Sequence, residues 1–145
     1  MSKPAIVIVP GSWQKPVSWD GFVERMQKAG YEAIHVPLPT VGGTVTPLAS
    51  LAEDVAAVRA ALSSLAEQGK KALVLCHSSG GLVGSNAVPE SSNVVGLLFL
   101  TAFMIPKGHA VLDMLGGQPL PWMDIQVARL PAAPTAPLPF RPGPG

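Results

Sequence analysis

Ser78 is the residue of this chain best placed to do chemistry. It lies in Leu73-Val-Leu-Cys-His-Ser-Ser-Gly-Gly-Leu-Val-Gly84: an apolar run, a short polar turn with two glycines, then a second apolar run. That order predicts strand, tight turn and helix. Such a turn lifts the apex side chain above a sheet, where a hydroxyl can attack an acyl carbon. The helix that follows aims its free N–H groups and the positive end of its dipole at the same spot. The backbone amide of Ser79 is then one candidate donor to an oxyanion. The second candidate is Ser12, in the loop Pro10-Gly-Ser-Trp13, with Trp13 next in line.

A base and an acid are less plainly signalled. The chain has three histidines, His35, His77 and His109. His77 adjoins Ser78, but neighbours on a tight turn point different ways. His35 falls near the end of a short strand. His109 follows the fourth strand in Pro106-Lys-Gly-His109, and His109 and Asp113 are the remaining candidates to consider. Asp113 and Asp124 read more simply as groups that solvate a helix or loop. Cys76 reads as a buried, inert thiol. Three scattered histidines make no metal-ligand set, and no metal or organic cofactor is expected.

The elements that must position these groups alternate. Ala5 to Val9 is a β-branched run closed by Pro10-Gly11, which predicts a strand covered on both faces. Trp19, Phe22, Val23, Met26 and Ala29 recur at helical spacing, with Ser18 as the expected N-cap and Gly30 as the stop. Tyr31 to Val36 predicts a second strand. Ser50-Leu-Ala-Glu53 is a capping box, and Leu51, Val55, Val58, Leu62 and Leu65 continue it as one apolar stripe. Ala72 to Leu75 predicts a third strand, Gly80 to Val88 a short helix stopped by Pro89, and Val94 to Leu100 a fourth strand. Strands separated by helices form right-handed βαβ units in a parallel sheet. The order 2-1-3-4 puts helices on both faces, with a switch point between strands one and three. Both candidate loops leave the carboxyl ends of those two strands.

Several segments together carry a resemblance: Ile6-Val-Ile-Val-Pro-Gly-Ser-Trp13, Trp19, Gly30-Tyr31, Pro37-Leu-Pro39 and Val74-Leu-Cys-His-Ser-Ser-Gly-Gly81. In this order they resemble the N-terminal half of an α/β-hydrolase over roughly residues 4 to 118. The similarity is to short members that open directly with a strand and a glycine loop, among them plant esterases, hydroxynitrile lyases and many fungal and bacterial hydrolases. The resemblance implies a partial α/β-hydrolase fold and a serine hydrolase acting on a small ester or related acyl substrate, with secondary metabolism as a setting. It implies Ser78 as nucleophile, the Ser12 and Ser79 amides as oxyanion hole, and His77 as structural. The family usually has His-Gly where this chain has Pro10-Gly11, and Gly where it has Cys76. It keeps its acid and its base after later strands, beyond the segments matched here.

Composition bounds the partners. The 145 residues carry a net charge of +1, and only 13% are charged, about half the usual share. That balance does not fit a nucleic-acid binder. No apolar run approaches the roughly 20 residues that span a bilayer, and no signal peptide is evident, so the expectation is a cytoplasmic protein. With one cysteine, no internal disulfide can form. Eight of the 16 prolines lie between Pro119 and Pro144. The expected division is a hydrolase-like domain over 1–124 and a Pro-rich, disordered tail over 125–145. Two other readings follow from that division. One is a non-catalytic homologue acting as a binding or assembly module. The other is a half-domain that associates with another chain through the uncovered edge of the fourth strand.

Overall fold

The computed structural model describes residues 3–44 and 47–123; the segment expected to be a tail, and Asp124 before it, lie outside the described residues. The elements run β1 (Ala5–Val9), α1 (Asp20–Lys28), β2 (Ala33–His35), α2 (Leu51–Glu67), β3 (Ala72–Ser78), α3 (Gly80–Ala87), β4 (Val94–Ala102) and α4 (Val111–Met114). The strands form one parallel sheet in the order β2-β1-β3-β4, as the connectivity predicts.

Side-chain alternation on β1 builds a core on each face of the sheet. Ala5, Val7 and Val9 meet Val58, Leu62 and Leu65 of α2 and Val83 of α3. Ile6 and Ile8 point the other way, to Trp19, Ala33 and Leu75, with Phe22, Val23 and Met26 of α1 packed against them. All five β1 residues are buried. Full burial of a side chain such as Ile8 is worth about 1.5–3 kcal/mol, so this strand anchors both layers.

Local signals explain most of the boundaries. The capping box of α2 forms as written: Ser50 Oγ accepts from the Ala52 N–H at 3.2 Å, and Glu53 Oε2 accepts from the Ser50 N–H at 2.6 Å. Ser18 does not cap α1. A 3₁₀ turn over Pro16–Trp19 runs straight into the helix, Trp19 takes the cap position, and no side chain caps it. Proline at the first position of that turn starts it one residue group early. The second strand is shorter than Tyr31 to Val36, since only Ala33–His35 pair with β1. Buried Asn93 fastens the far end: its amide donates to the Leu62 and Lys70 carbonyls at 3.0 and 3.2 Å, and its own carbonyl accepts from Ala72 N–H at 2.9 Å.

Strand β4 lies at one end of this sheet. Val94, Leu97, Phe99 and Ala102 pack on the α2–α3 side. Val95, Leu98 and Leu100 alternate with them and are exposed, so among the described residues no helix covers that face. No helix of the described residues is long and apolar enough to cross a membrane.

Two features of the packing make measurable claims. A Cβ on Gly84 would collide with Cys76 Sγ, and Cys76 is itself fully buried. Gly84→Ala therefore loses stability by about 1–2 kcal/mol in chemical denaturation, overpacking outweighing the gain in helix propensity. Adding Cys76→Ala recovers most of that loss, and a double-mutant cycle showing no coupling between the two sites contradicts this packing. His35, at the end of β2, has both ring nitrogens buried without a partner. Desolvation lowers its pKa below 6.5, only partly offset by its own main chain and by the charge of Asp20. The folded state holds the ring neutral, whereas the unfolded chain protonates it near its ordinary value. Its contribution is thus intact above pH 6.5 and is lost as pH falls from there towards the lowered folded value. His35→Leu should flatten the change in stability between pH 7.5 and pH 5.5; an unchanged slope in the variant refutes the assignment.

Candidate active site

The carboxyl ends of β1 and β3 bring the two candidate loops together. Val9 pairs with Cys76 at the end of the β1–β3 ladder. From there the chain leaves one strand through Pro10-Gly11-Ser12 and the other through His77-Ser78-Ser79. Ser78 has a φ of 52°, in the left-handed region that non-glycine residues rarely enter. It is the last residue of β3, and α3 starts two residues later. Trp13, on the opposing loop, has a φ of 64°. Strained backbone of this kind, here on both loops that leave β1 and β3, clusters at functional sites.

The approach of the loops is close enough to require glycine. A Cβ on Gly11 would lie 2.6 Å from the Cβ of Ser78 and 3.2 Å from its Oγ. A Cβ on Gly80 would strike the carbonyl oxygens of Val9 and Pro10, and one on Gly81 the carbonyl of Phe103. On the third side, the Phe103 N–H donates to the Ser78 carbonyl at 3.0 Å and so ties the end of β4 to the turn. The Ser78 hydroxyl thus sits against Gly11, half-buried, at the start of α3.

Ser12 and Ser79 face each other across this gap. The Ser12 N–H donates to Ser79 Oγ at 2.9 Å, and the two hydroxyl oxygens are also 2.9 Å apart. An oxygen therefore already occupies the acceptor position of the Ser12 amide. Gln14 steadies the same loop, its Oε1 accepting from the Gly11 N–H at 2.9 Å. Neither the Ser12–Ser79 bond nor the Gln14 bond is signalled by residue spacing.

The histidines take different places. Trp19 stands between two of them, with ring centroids 6.4 Å from His35 and 5.6 Å from His77. His77 Nδ1 is buried without a hydrogen-bond partner and would lie 3.3 Å from a Cβ on Gly11. His109 and Asp113 come together as an exposed pair, Nδ1 to Oδ2 3.6 Å, and Asp113 also accepts from the Ala110 N–H at 2.7 Å. His109, but not Asp113, lines a cavity of about 530 Å³ with Leu82, Ser85 and Ile105, and Ser78 is not part of that lining. Among the described residues no side chain hydrogen-bonds to the Ser78 hydroxyl. Burial pushes the Cys76 thiol up to about 11, so it stays protonated at neutral pH and is no thiolate nucleophile. Among the described residues no cluster of three His, Cys, Asp or Glu side chains could hold a metal ion.

Trp13 and Trp19 diverge. Trp19 is core. Trp13 is 72% exposed and meets Trp122 edge-on at 5.8 Å, so an aromatic pair stands over the first loop. Sequence spacing gives no warning of a partner more than a hundred residues away.

Comparison with known proteins identifies the family. The family model for the alpha/beta hydrolase family matches residues 6–145. Alpha/beta hydrolase nvfD of Aspergillus novofumigatus is 33% identical, the match covering 79% of this chain and 49% of the relative. Probable hydrolase R7 of a Phoma species is 28% identical, covering 81% and 50%. Among solved structures, tomato methylketone synthase I, complexed with 2-tridecanone, superposes with a TM-score of 0.72 at 19% identity, over 94% of this chain and 55% of that one. The chain spans about half the length of the curated relatives it matches. The ordered segments read from the sequence, the 2-1-3-4 sheet and the family match agree: the chain belongs to the alpha/beta hydrolase family, of which it represents the N-terminal part of the domain.

Proposed function

We propose that the chain carries the nucleophile and the anion site of a serine hydrolase acting on an ester or related acyl compound. The observation that supports this most directly is the backbone of Ser78: a left-handed non-glycine residue at a strand-to-helix turn, its hydroxyl packed against Gly11. Strain of this kind costs roughly 1–3 kcal/mol and persists where the surroundings enforce it. Here glycines at 11, 80 and 81 make the enforcement possible.

On this reading Ser78 Oγ attacks the substrate carbonyl carbon, and its proton passes to a base. The negative charge that develops on the carbonyl oxygen is received by the main-chain N–H groups of Ser12 and Ser79. The Ser79 hydroxyl holds the Ser12 N–H in the free protein. A rotation about the Ser79 Cα–Cβ bond releases that amide to an incoming oxyanion, so the donor is kept oriented without being left unpaired. The dipole of α3 adds to the attraction. Of the three histidines, His35 and His77 pack on Trp19, and His109 pairs with Asp113. None of the three hydrogen-bonds to the Ser78 hydroxyl, so the base is assigned to none of them. The bare anion site retains roughly 10³-fold rate acceleration without a triad, which sets a floor for what the nucleophile and its amides contribute.

A fluorophosphonate probe tests the reading on the full chain. Covalent labelling at Ser78, mapped by peptide mass spectrometry and abolished in Ser78→Ala, is the expected result. Ser12→Pro, which removes the loop amide, should slow labelling about 10²-fold while the fold persists by circular dichroism. A folded chain that takes no label at Ser78 overturns the assignment and favours a non-catalytic binding role.

A further inference from the structure

Beside the Ser12–Ser79 pair lies a cavity of about 200 Å³. Its apolar wall comes from three elements: Leu38 and Val41 after β2, Leu51 of α2, and Leu82 and Val83 of α3. Its polar groups come as two pairs, each already satisfied internally. Ser12 and Ser79 bond to one another. The Thr40 N–H and hydroxyl donate to the two carboxyl oxygens of buried Asp54 at 3.0 and 2.7 Å. None of the lining residues is basic.

The chemistry of an occupant follows from these facts. Satisfied polar pairs make no demand for a polar ligand, and an anionic chain end would find no cation to balance it. Aliphatic surface from Leu and Val favours aliphatic chain. At about 30 Å³ for each small heavy group, the space holds roughly six or seven of them. Leu51 and Leu82 also border the larger cavity near His109, so these two side chains limit the smaller one on that side. Ser78 is not itself a lining residue; its neighbour Ser79 and the facing Ser12 are, and they connect the cavity to the Ser78 turn.

We propose that this cavity is an acyl-binding subsite for a neutral aliphatic chain of about four to six carbons, its carbonyl directed at the Ser12–Ser79 pair. The acyl assignment rests on the hydrolase reading of Ser78; the cavity's preference for a short neutral chain rests on its walls alone. Leu82, shared with the larger cavity, bounds the space on that side, and Val41 lines it from the loop after β2.

The test is a titration of the full chain with N-methyl alkanamides from acetyl to dodecanoyl, followed by the methyl NMR signals of Val41, Leu82 and Val83. Affinity should rise about three- to fourfold per methylene up to hexanoyl and then level or fall. An analogue of hexanoyl length that ends in a carboxylate should bind at least tenfold more weakly. Val41→Trp fills the space and reduces hexanoyl binding to the acetyl level. Should that variant not fold, Leu82→Ala carries the test: it opens the shared wall, and the longest chain accepted gains several carbons. Affinity that is indifferent to length, that climbs steadily to dodecanoyl in the unaltered chain, or that keeps its profile in the folded variants overturns the proposal. Fluorophosphonate labelling of the same sample separates the two claims. Label without length-selective binding sinks the subsite alone. Length-selective binding without label upholds the cavity and sinks the hydrolase reading.

Discussion

The structure depends on how closely the start of α3 approaches the end of β1. Gly80 has no room for a Cβ, because the carbonyl oxygens of Val9 and Pro10 occupy that space. Gly11 has none either, because Ser78 does. These are contacts of backbone with backbone or with a Cβ, which no rotamer change relieves. The two strands are neighbours in a parallel ladder from Ala5 to Val9, so the sheet sets the distance and the glycines allow it. Once both are fixed, Ser78 has little freedom except the left-handed conformation observed, and its hydroxyl is held at the helix start. The strain at Ser78 is thus maintained by the central pairing of the sheet, which also buries most of the core.

The remainder of the fold supports that pairing unequally. On one face α2 and α3 cover β1, β3 and β4 with a continuous apolar layer. On the other, α1 and Trp19 cover β1, Ala33 and Leu75, while Val95, Leu98 and Leu100 of β4 stay exposed. An apolar strand face at a sheet edge is normally paired or covered. The asymmetry is local: it concerns β4 and leaves the β1–β3 junction fully packed.

Most of this architecture is legible in the sequence because it is written in short-range terms. β-branched runs bounded by proline and glycine give the strands, and Ser50 with Glu53 gives the start of α2. The Ser-Ser-Gly-Gly segment marks the turn because small residues are required where elements meet closely. Long-range terms are not legible. Ser18 looks like a cap by residue type, but the proline-led 3₁₀ turn shifts the helix start past it. Asn93 and Asp54 are polar residues whose partners lie 14 to 31 positions away, so nothing local distinguishes them from solvated side chains. The pairing of Trp13 with Trp122 is of the same kind. His35, His77 and His109 show the limit most clearly. Type and order alone leave each a candidate base, and the contacts of His35 and His77 with Trp19 depend on packing that residue type does not signal.

The Ser12–Ser79 hydrogen bond joins these strands of reasoning. An unpaired amide beside a tight turn would cost about 1–3 kcal/mol if water could not reach it, and would be free to turn away if water could. The Ser79 hydroxyl avoids both outcomes by supplying an oxygen at 2.9 Å, the distance a developing oxyanion would also take. A neutral hydroxyl is the weaker acceptor, since a charged one roughly doubles the strength of the bond. On the proposed reading, exchange of the one for the other therefore favours the charged state over the resting state, which is the differential stabilisation that catalysis requires. A glycine or alanine at position 79 would leave the same amide without that partner. On that reading the residue after Ser78 acts through its side chain as well as its backbone, and it also lines the small cavity beside the turn.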